Sequence, residues 1–307
     1  MAGLQNGTLV LHLTLGVGKV VALEPNAVHV FFPDGDKRFA AKLRLPAARA
    51  LLRTEGVEPN TWLEGLSAFA LDPKVGRYAL AASWLTHDEA VDQFLAVFPE
   101  GFAGRADVAG DCGRAAAWRG AHTRWGETFG DGEGARLVAE GDLDELVKRA
   151  LQVEKPIASL HPSGDVGAVK DALAPGEVLR PFFAALFELL SVPSPGRARF
   201  EKLFAAARCL PVEPAQQWLV ATLFPFVASP GRHVLVRPKI TCTAATRLGS
   251  DVRDDAFPNW PTYAALRALS VQLLEKLKPN GATDFVDVEA FLHVTATAKR
   301  RVTRSTR

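Results

Sequence analysis

The sequence predicts an α+β protein, with a small antiparallel β module over residues 5–55 and a larger, mainly α-helical domain over 84–297. Three observations carry that reading. Residues 8–53 hold four short runs rich in Val, Leu and Phe, divided by turn-forming Gly, Pro, Asn and Asp. From Thr86 onward the apolar residues recur at spacings of three and four between capping and breaking signals. A chain of 307 residues, 48% apolar and 23% charged, is long enough for about two packed domains and unlike a disordered one.

The four runs are TLVLHL, KVVAL, VHVFF and KRFAAKLRL. Turn chemistry at Gly16-Val17-Gly18, Pro25-Asn26 and Pro33-Asp34-Gly35-Asp36 separates them, and their spacing predicts a strongly bent barrel. Phe31 and Phe32 are neighbours in one strand and must point to opposite faces. In the last run Phe39, Ala41, Leu43 and Leu45 alternate with Arg38, Lys42 and Arg44, so period two gathers three cations on one face. That face is a candidate surface for nucleic acid or a partner; cations placed to blunt an exposed strand read the same way.

These residues also carry a resemblance. The stretch Leu13–Leu52, with its Gly16-x-Gly18 start, the hydrophobic strand Val20–Leu23, a turn, the strand Val28–Phe32 closed by Pro33 and the run Lys37–Phe39, resembles the Tudor-like N-terminal segment of the RapA family. That family comprises RNA polymerase-associated Swi2/Snf2 ATPases, and the stretch is similar, more loosely, to polymerase-interacting domains of the CarD type. The likeness covers about 40 of the 307 residues. It implies an SH3/Tudor-like fold and docking on RNA polymerase or on DNA or RNA. No G-x-x-x-x-G-K-[ST] follows, so the motor activity of the family is not implied. A methyl-lysine cage would need several aromatic faces around one cation, and Phe31, Phe32 and Phe39 do not supply them. The C-terminal half is similar to uncharacterised bacterial proteins, which implies no activity.

Residues 56–83 read as a connector interrupted by Pro59, Pro73 and Gly76, with Trp62, Phe69 and Trp84 needing cover from water. Thr86 and Glu89 have capping-box spacing at the head of a helix stopped by Pro99. A second helix is expected over Asp111–Phe129, with Trp118, His122, Trp125 and Phe129 on one buried face and His122 hydrogen-bonded within it. Its Arg114, Arg119 and Arg124 advance by about 140° each and do not line up as a groove-tracking stripe. Further helices are expected over 142–151, 177–190, 197–210, 216–228 and 263–277, and Pro181–Leu190, apolar on nearly every face, reads as the central one.

Catalytic and metal signatures are sparse. Cys112, Cys209 and Cys242 lie far apart, no C-x-x-C or H-E-x-x-H occurs, and neither a nucleophile elbow nor a dinucleotide fingerprint is present, so no metal and no cofactor is expected. The best polar constellation is Asp284, Asp287, Glu289 and His293. On a helix these residues can form an acid-base or divalent-ion site; equally, Asp284 makes a natural N-cap and Asp287 suits the positive end of the helix dipole. A second constellation combines Arg232, His233, Arg237 and Lys239 with Trp260 and Tyr263, the mixture of cations and aromatic rings that phosphate and base contacts require.

The net charge of +2 hides an asymmetry, because Lys299, Arg300, Arg301, Arg304 and Arg307 load the tail at 298–307 and leave the body slightly acidic. The tail reads either as a solvated end or as a sequence-blind attraction for phosphate. Three unpaired cysteines, no apolar run of membrane length and no signal-peptide pattern place the protein in the cytoplasm, away from membranes. The expected function is a non-enzymatic accessory or binding protein acting on RNA polymerase or nucleic acid through the Tudor-like barrel. The alternatives are a metal-dependent hydrolase using the C-terminal carboxylates and a scaffold subunit of a larger bacterial complex.

Overall fold

The computed structural model describes residues 4–298, apart from 34, 36–38, 61–62, 65, 67–68, 74, 81–84, 103–111, 175, 194–195, 251 and 253–254. Arg38, Trp62, Trp84 and the basic tail from Lys299 onward therefore lie outside the described residues. The chain forms two compact units, one of Met1–Ala90 with Ala245–Asp251, the other of Val91–Ala244 with Val252–Lys299.

In the first unit, β1 (Leu9–His12), β2 (Gly16–Glu24), β3 (Ala27–Phe31), β4 (Ala41–Arg44) and β5 (Leu52–Arg53) form an antiparallel sheet. Its order is β4-β3-β2-β1-β5. The α+β class is as the sequence predicts, but the sheet stays open where a closed barrel was expected. The cause is local. Pro46, whose fixed φ and missing N–H suit a first helical turn, starts α1 (Leu45–Leu51) directly after β4. What remains for β5 is two residues paired with Leu11 and His12, too short a strand to meet β4 and close the sheet.

Period two then distributes the side chains. Val28, Val30 and Phe32 join Val10, Val20 and Ala48 in one core, whereas Phe31 packs with Ala40, Leu63 and Leu66 in another. Lys19 is buried between strand and loop, its Nζ donating to the carbonyls of Glu64 at 2.5 Å and Leu66 at 2.6 Å. Burial holds its ammonium below the ordinary lysine range, with Glu64 pulling the other way. The stretch read as a connector carries a hairpin, β6 (Phe69–Asp72) and β7 (Arg77–Leu80), turned at Gly76 with φ +65°. Ala40 N–H donates to the Tyr78 carbonyl, and Arg77 Nε returns to the Ala40 carbonyl.

The helices begin with α2 (His87–Val97), capped as expected: Thr86 N–H donates to Glu89 Oε2 and Glu89 N–H to Thr86 Oγ1. There follow α3 (Cys112–Phe129), α4 (Glu133–Glu140), α5 (Leu143–Glu154) and, after a 3₁₀ turn at Lys155–Leu160, α6 (Ala168–Ala172). Next come α7 (Leu179–Leu190), α8 (Arg197–Ala207), α9 (Pro214–Ala228), α10 (Pro238–Arg247), α11 (Trp260–Leu277) and α12 (Phe285–Thr297). The central helix of the second unit is α9, buried at every position from Gln217 to Val227, and not α7 as its apolar run suggested. Arg180, Pro181 and Glu188 keep one flank of α7 exposed.

On α3 the spacing rule places Trp118, Trp125 and Phe129 inside, as read from the sequence. His122 departs from the expectation. It is exposed at the margin of that face, and its Nδ1–H donates at 2.7 Å to the Val227 carbonyl, which has no partner inside the last turn of α9. No helix among the described residues is long and apolar enough to cross a membrane.

Candidate functional site

The C-terminal carboxylates sit on α12 as three separate structural fixtures. Asp284 is the N-cap and accepts from Val286 N–H at 2.9 Å. Asp287, one turn later and fully buried, takes the Thr283 N–H and hydroxyl on Oδ2 and the Arg119 guanidinium on Oδ1 at 2.8 Å. Glu289, also buried, accepts from Trp118 Nε1 at 3.1 Å and pairs with Arg237 and with Arg114. His293 is half-buried further along the helix.

Arginines from distant parts of the chain neutralise this cluster. Arg114 and Arg237 both donate to the Leu160 carbonyl as they flank Glu289, so each buried cation meets a carboxylate and a backbone oxygen. Burial depresses the Arg237 guanidinium from its ordinary range, with Glu289 opposing. Burial also works against the charge on Arg119, but the hydrogen bond and charge of Asp287, joined by Asp284, outweigh it and hold the guanidinium above its ordinary value. Asp284 is pushed up by burial and by the neighbouring Asp287 charge, while Arg119 pulls it down. Among the described residues no three or more His, Cys, Asp or Glu side chains converge as a metal site would require.

The second constellation divides between interior and surface. The segment 233–237 is buried and lies outside any helix or strand, with Val234 N–H donating to the Tyr263 hydroxyl and Val236 N–H to Thr222 Oγ1. Arg237 thereby reaches Glu289 and is 2% exposed. His233 and Tyr263 are buried too, packed with Phe200 at ring-centre distances of 5.7 and 4.6 Å. Lys239 remains exposed on α10, its Nζ close to Gly164.

What stays at the surface is a compact group. Trp260 opens α11 half-buried, one side of its ring against Phe200 at 5.1 Å. Asn259 caps the helix, and Asp255 is held to Asn259 Nδ2 and the Thr262 hydroxyl. Arg232 is exposed, and Arg267, also exposed, donates through Nε to the Arg232 carbonyl at 3.1 Å. Neither guanidinium has a carboxylate partner among the described residues. The sequence reading did not single out Arg267, although its i+4 and i+7 spacing from Tyr263 and Trp260 places all three on one helical face.

His233 reports on this arrangement. Burial first, then the charges of Arg267 and Arg232, push its imidazole down to about 4. The folded state therefore binds fewer protons than the unfolded state between that value and the usual histidine range. Stability contributed by neutral His233 is intact above about pH 6.5 and declines as pH falls toward 4, by about 3 kcal/mol at most. Urea unfolding of His233→Gln across that window should show a flatter pH dependence than the native chain; parallel curves contradict the assignment.

On the N-terminal sheet, Lys42 and Arg44 alternate outward as period two requires. Lys42 is already engaged, its Nζ 2.8 Å from Glu24 Oε2, and Glu24 also meets the buried His29 at 2.8 Å. Arg44 is exposed with no carboxylate partner among the described residues. A cleft of about 500 Å³ beside Leu143 and Leu179 is rimmed by Asp144, Glu177 and Arg180, a set without convergent chemistry. No family model matches the chain, and searches of curated proteins and of solved structures return no match.

Proposed function

We propose that this chain is a non-enzymatic accessory protein that binds nucleic acid, with the Arg232–Arg267–Trp260 surface of the helical unit as its main contact. One observation carries the reading: the buried arginines of the second unit meet carboxylates and carbonyls, whereas Arg232 and Arg267 are exposed, have no carboxylate partner among the described residues, and are joined by Arg267 Nε donating to the Arg232 carbonyl. Both charges act on the same buried imidazole of His233, so the surface above it is positive, and an anion there is favourable. The same bookkeeping weakens the hydrolase alternative. Asp287 and Glu289 are covered and occupied by Arg119, Arg114, Arg237 and Trp118, and a general base has to reach substrate.

A second reading, contact with RNA polymerase through the N-terminal sheet, rests on its Tudor-like resemblance and on Arg44. An SH3/Tudor-like origin of the open five-stranded sheet belongs to the same proposal. The two surfaces separate by charge reversal. Arg232→Glu with Arg267→Glu is expected to weaken binding of the full chain to labelled DNA by at least tenfold, on the order of 1 kcal/mol for each lost phosphate contact. Arg44→Glu should leave DNA binding unchanged and reduce retention on core RNA polymerase. DNA affinity indifferent to the double substitution removes the helical surface from the function.

A further inference from the structure

The same surface has a feature that phosphate attraction does not need. Trp260 is the first residue of α11, half-buried and packed against Phe200 at 5.1 Å and Tyr263 at 6.1 Å. Phe200 and Tyr263 are themselves buried against Phe204 and His233, so the indole cannot swing inward to hide. Asp255, the carboxylate at the head of α11, is engaged by Asn259 and Thr262. Arg267 lies seven residues on, two turns along the same helical face, or about 10 Å. Its bond to the Arg232 carbonyl uses Nε alone and leaves its terminal N–H donors available.

A half-buried, aromatically backed indole on the same helical face as Arg267, which is joined to the Arg232 backbone, with neither arginine paired to a carboxylate among the described residues, fits an unpaired base with its flanking phosphates. In a duplex the base faces are already stacked on one another and offer an aromatic side chain nothing. Duplex binding through phosphates alone calls for cations strung along a backbone, whereas here Arg267 shares a helical face with Trp260 and is joined through Nε to the Arg232 carbonyl. We propose that Trp260, Arg232 and Arg267 form a single-stranded nucleic-acid site, a base stacking on the indole and phosphates pairing with the two guanidinium groups. This rests on the nucleic-acid reading given above, and adds strand selectivity to it.

The test uses the full chain with fluorescein-labelled oligothymidylate of about 12 nucleotides, a length within single-strand site sizes, and a duplex of equal length, followed by anisotropy. The native protein should prefer the single strand. Trp260→Ala should lower single-strand affinity by about fivefold or more and leave duplex affinity unchanged, while Trp260→Phe, which preserves a stacking face and the packing on Phe200, should recover most of it. Unchanged single-strand affinity in a folded Trp260→Ala protein overturns the stacking site, as does equal loss on both DNAs. If the arginine substitutions abolish binding of both DNAs and Trp260→Ala affects neither, the nucleic-acid reading survives and the strand selectivity falls. Binding to core RNA polymerase with no binding to either DNA overturns both.

Discussion

Glu289→Ala is expected to destabilise the helical unit by about 3–5 kcal/mol, the range found when one partner of a buried ion pair is removed. The carboxylate lies between Arg237 and Arg114 and also accepts from Trp118 Nε1, so its loss leaves two buried cations sharing the Leu160 carbonyl and an indole N–H without an acceptor. Domains of this kind have about 5–15 kcal/mol in total, so the urea midpoint should fall by a large fraction. Glu289→Gln retains an acceptor for Trp118 but not the charge, and should fall between. A carboxylate kept for catalysis behaves in the opposite sense, since such residues are often removed with little loss or some gain in stability. A midpoint within experimental error of the native one contradicts the structural role.

Gly18→Ala is expected to cost at least about 1–3 kcal/mol through overpacking in the N-terminal sheet. A Cβ at Gly18 would stand 2.5 Å from two atoms of the Phe32 ring and 2.8 Å from the Phe31 carbonyl oxygen. The ring is confined by Val10, Val20, Val28 and Val30, and the carbonyl belongs to a strand held in register with Lys19, so neither yields cheaply. Gly120→Ala is the matched control, because nothing lies within 4 Å of its Cβ position on α3 and removing a mid-helix glycine gains up to about 1 kcal/mol. Thermal melts should shift in opposite directions for the two variants; equal shifts contradict the packing argument.

The sequence carried the local rules well. The capping box at Thr86, the inward faces of α3 and the opposite orientations of Phe31 and Phe32 depend on residues a few positions apart, where period and capping chemistry act directly. Its limits appear where distant segments meet. Arg114 and Arg119 read as scattered cations and Arg237 as a phosphate contact, yet each is matched to a carboxylate of α12, between 52 and 175 residues away by position in the chain. The cationic segment at 232–239 combined one buried ion-pair residue, a buried histidine and two exposed cations, because its apolar Val234, Leu235 and Val236 draw the middle inward and leave the ends out. Sheet closure failed for a related reason: alternation defined each strand, but Pro46 redirected the chain before the edges could meet.

The salt dependence of binding tests the central claim most directly, because it counts phosphate contacts without assuming their affinity. Anisotropy titrations of oligothymidylate between about 50 and 200 mM salt should give a log–log slope for the native chain that becomes shallower by about 1.4 in Arg232→Gln with Arg267→Gln, two contacts at about 0.7 each. Identical slopes for the two proteins, with melting temperatures also alike, would show that these arginines meet no phosphate and would contradict the assignment of this surface.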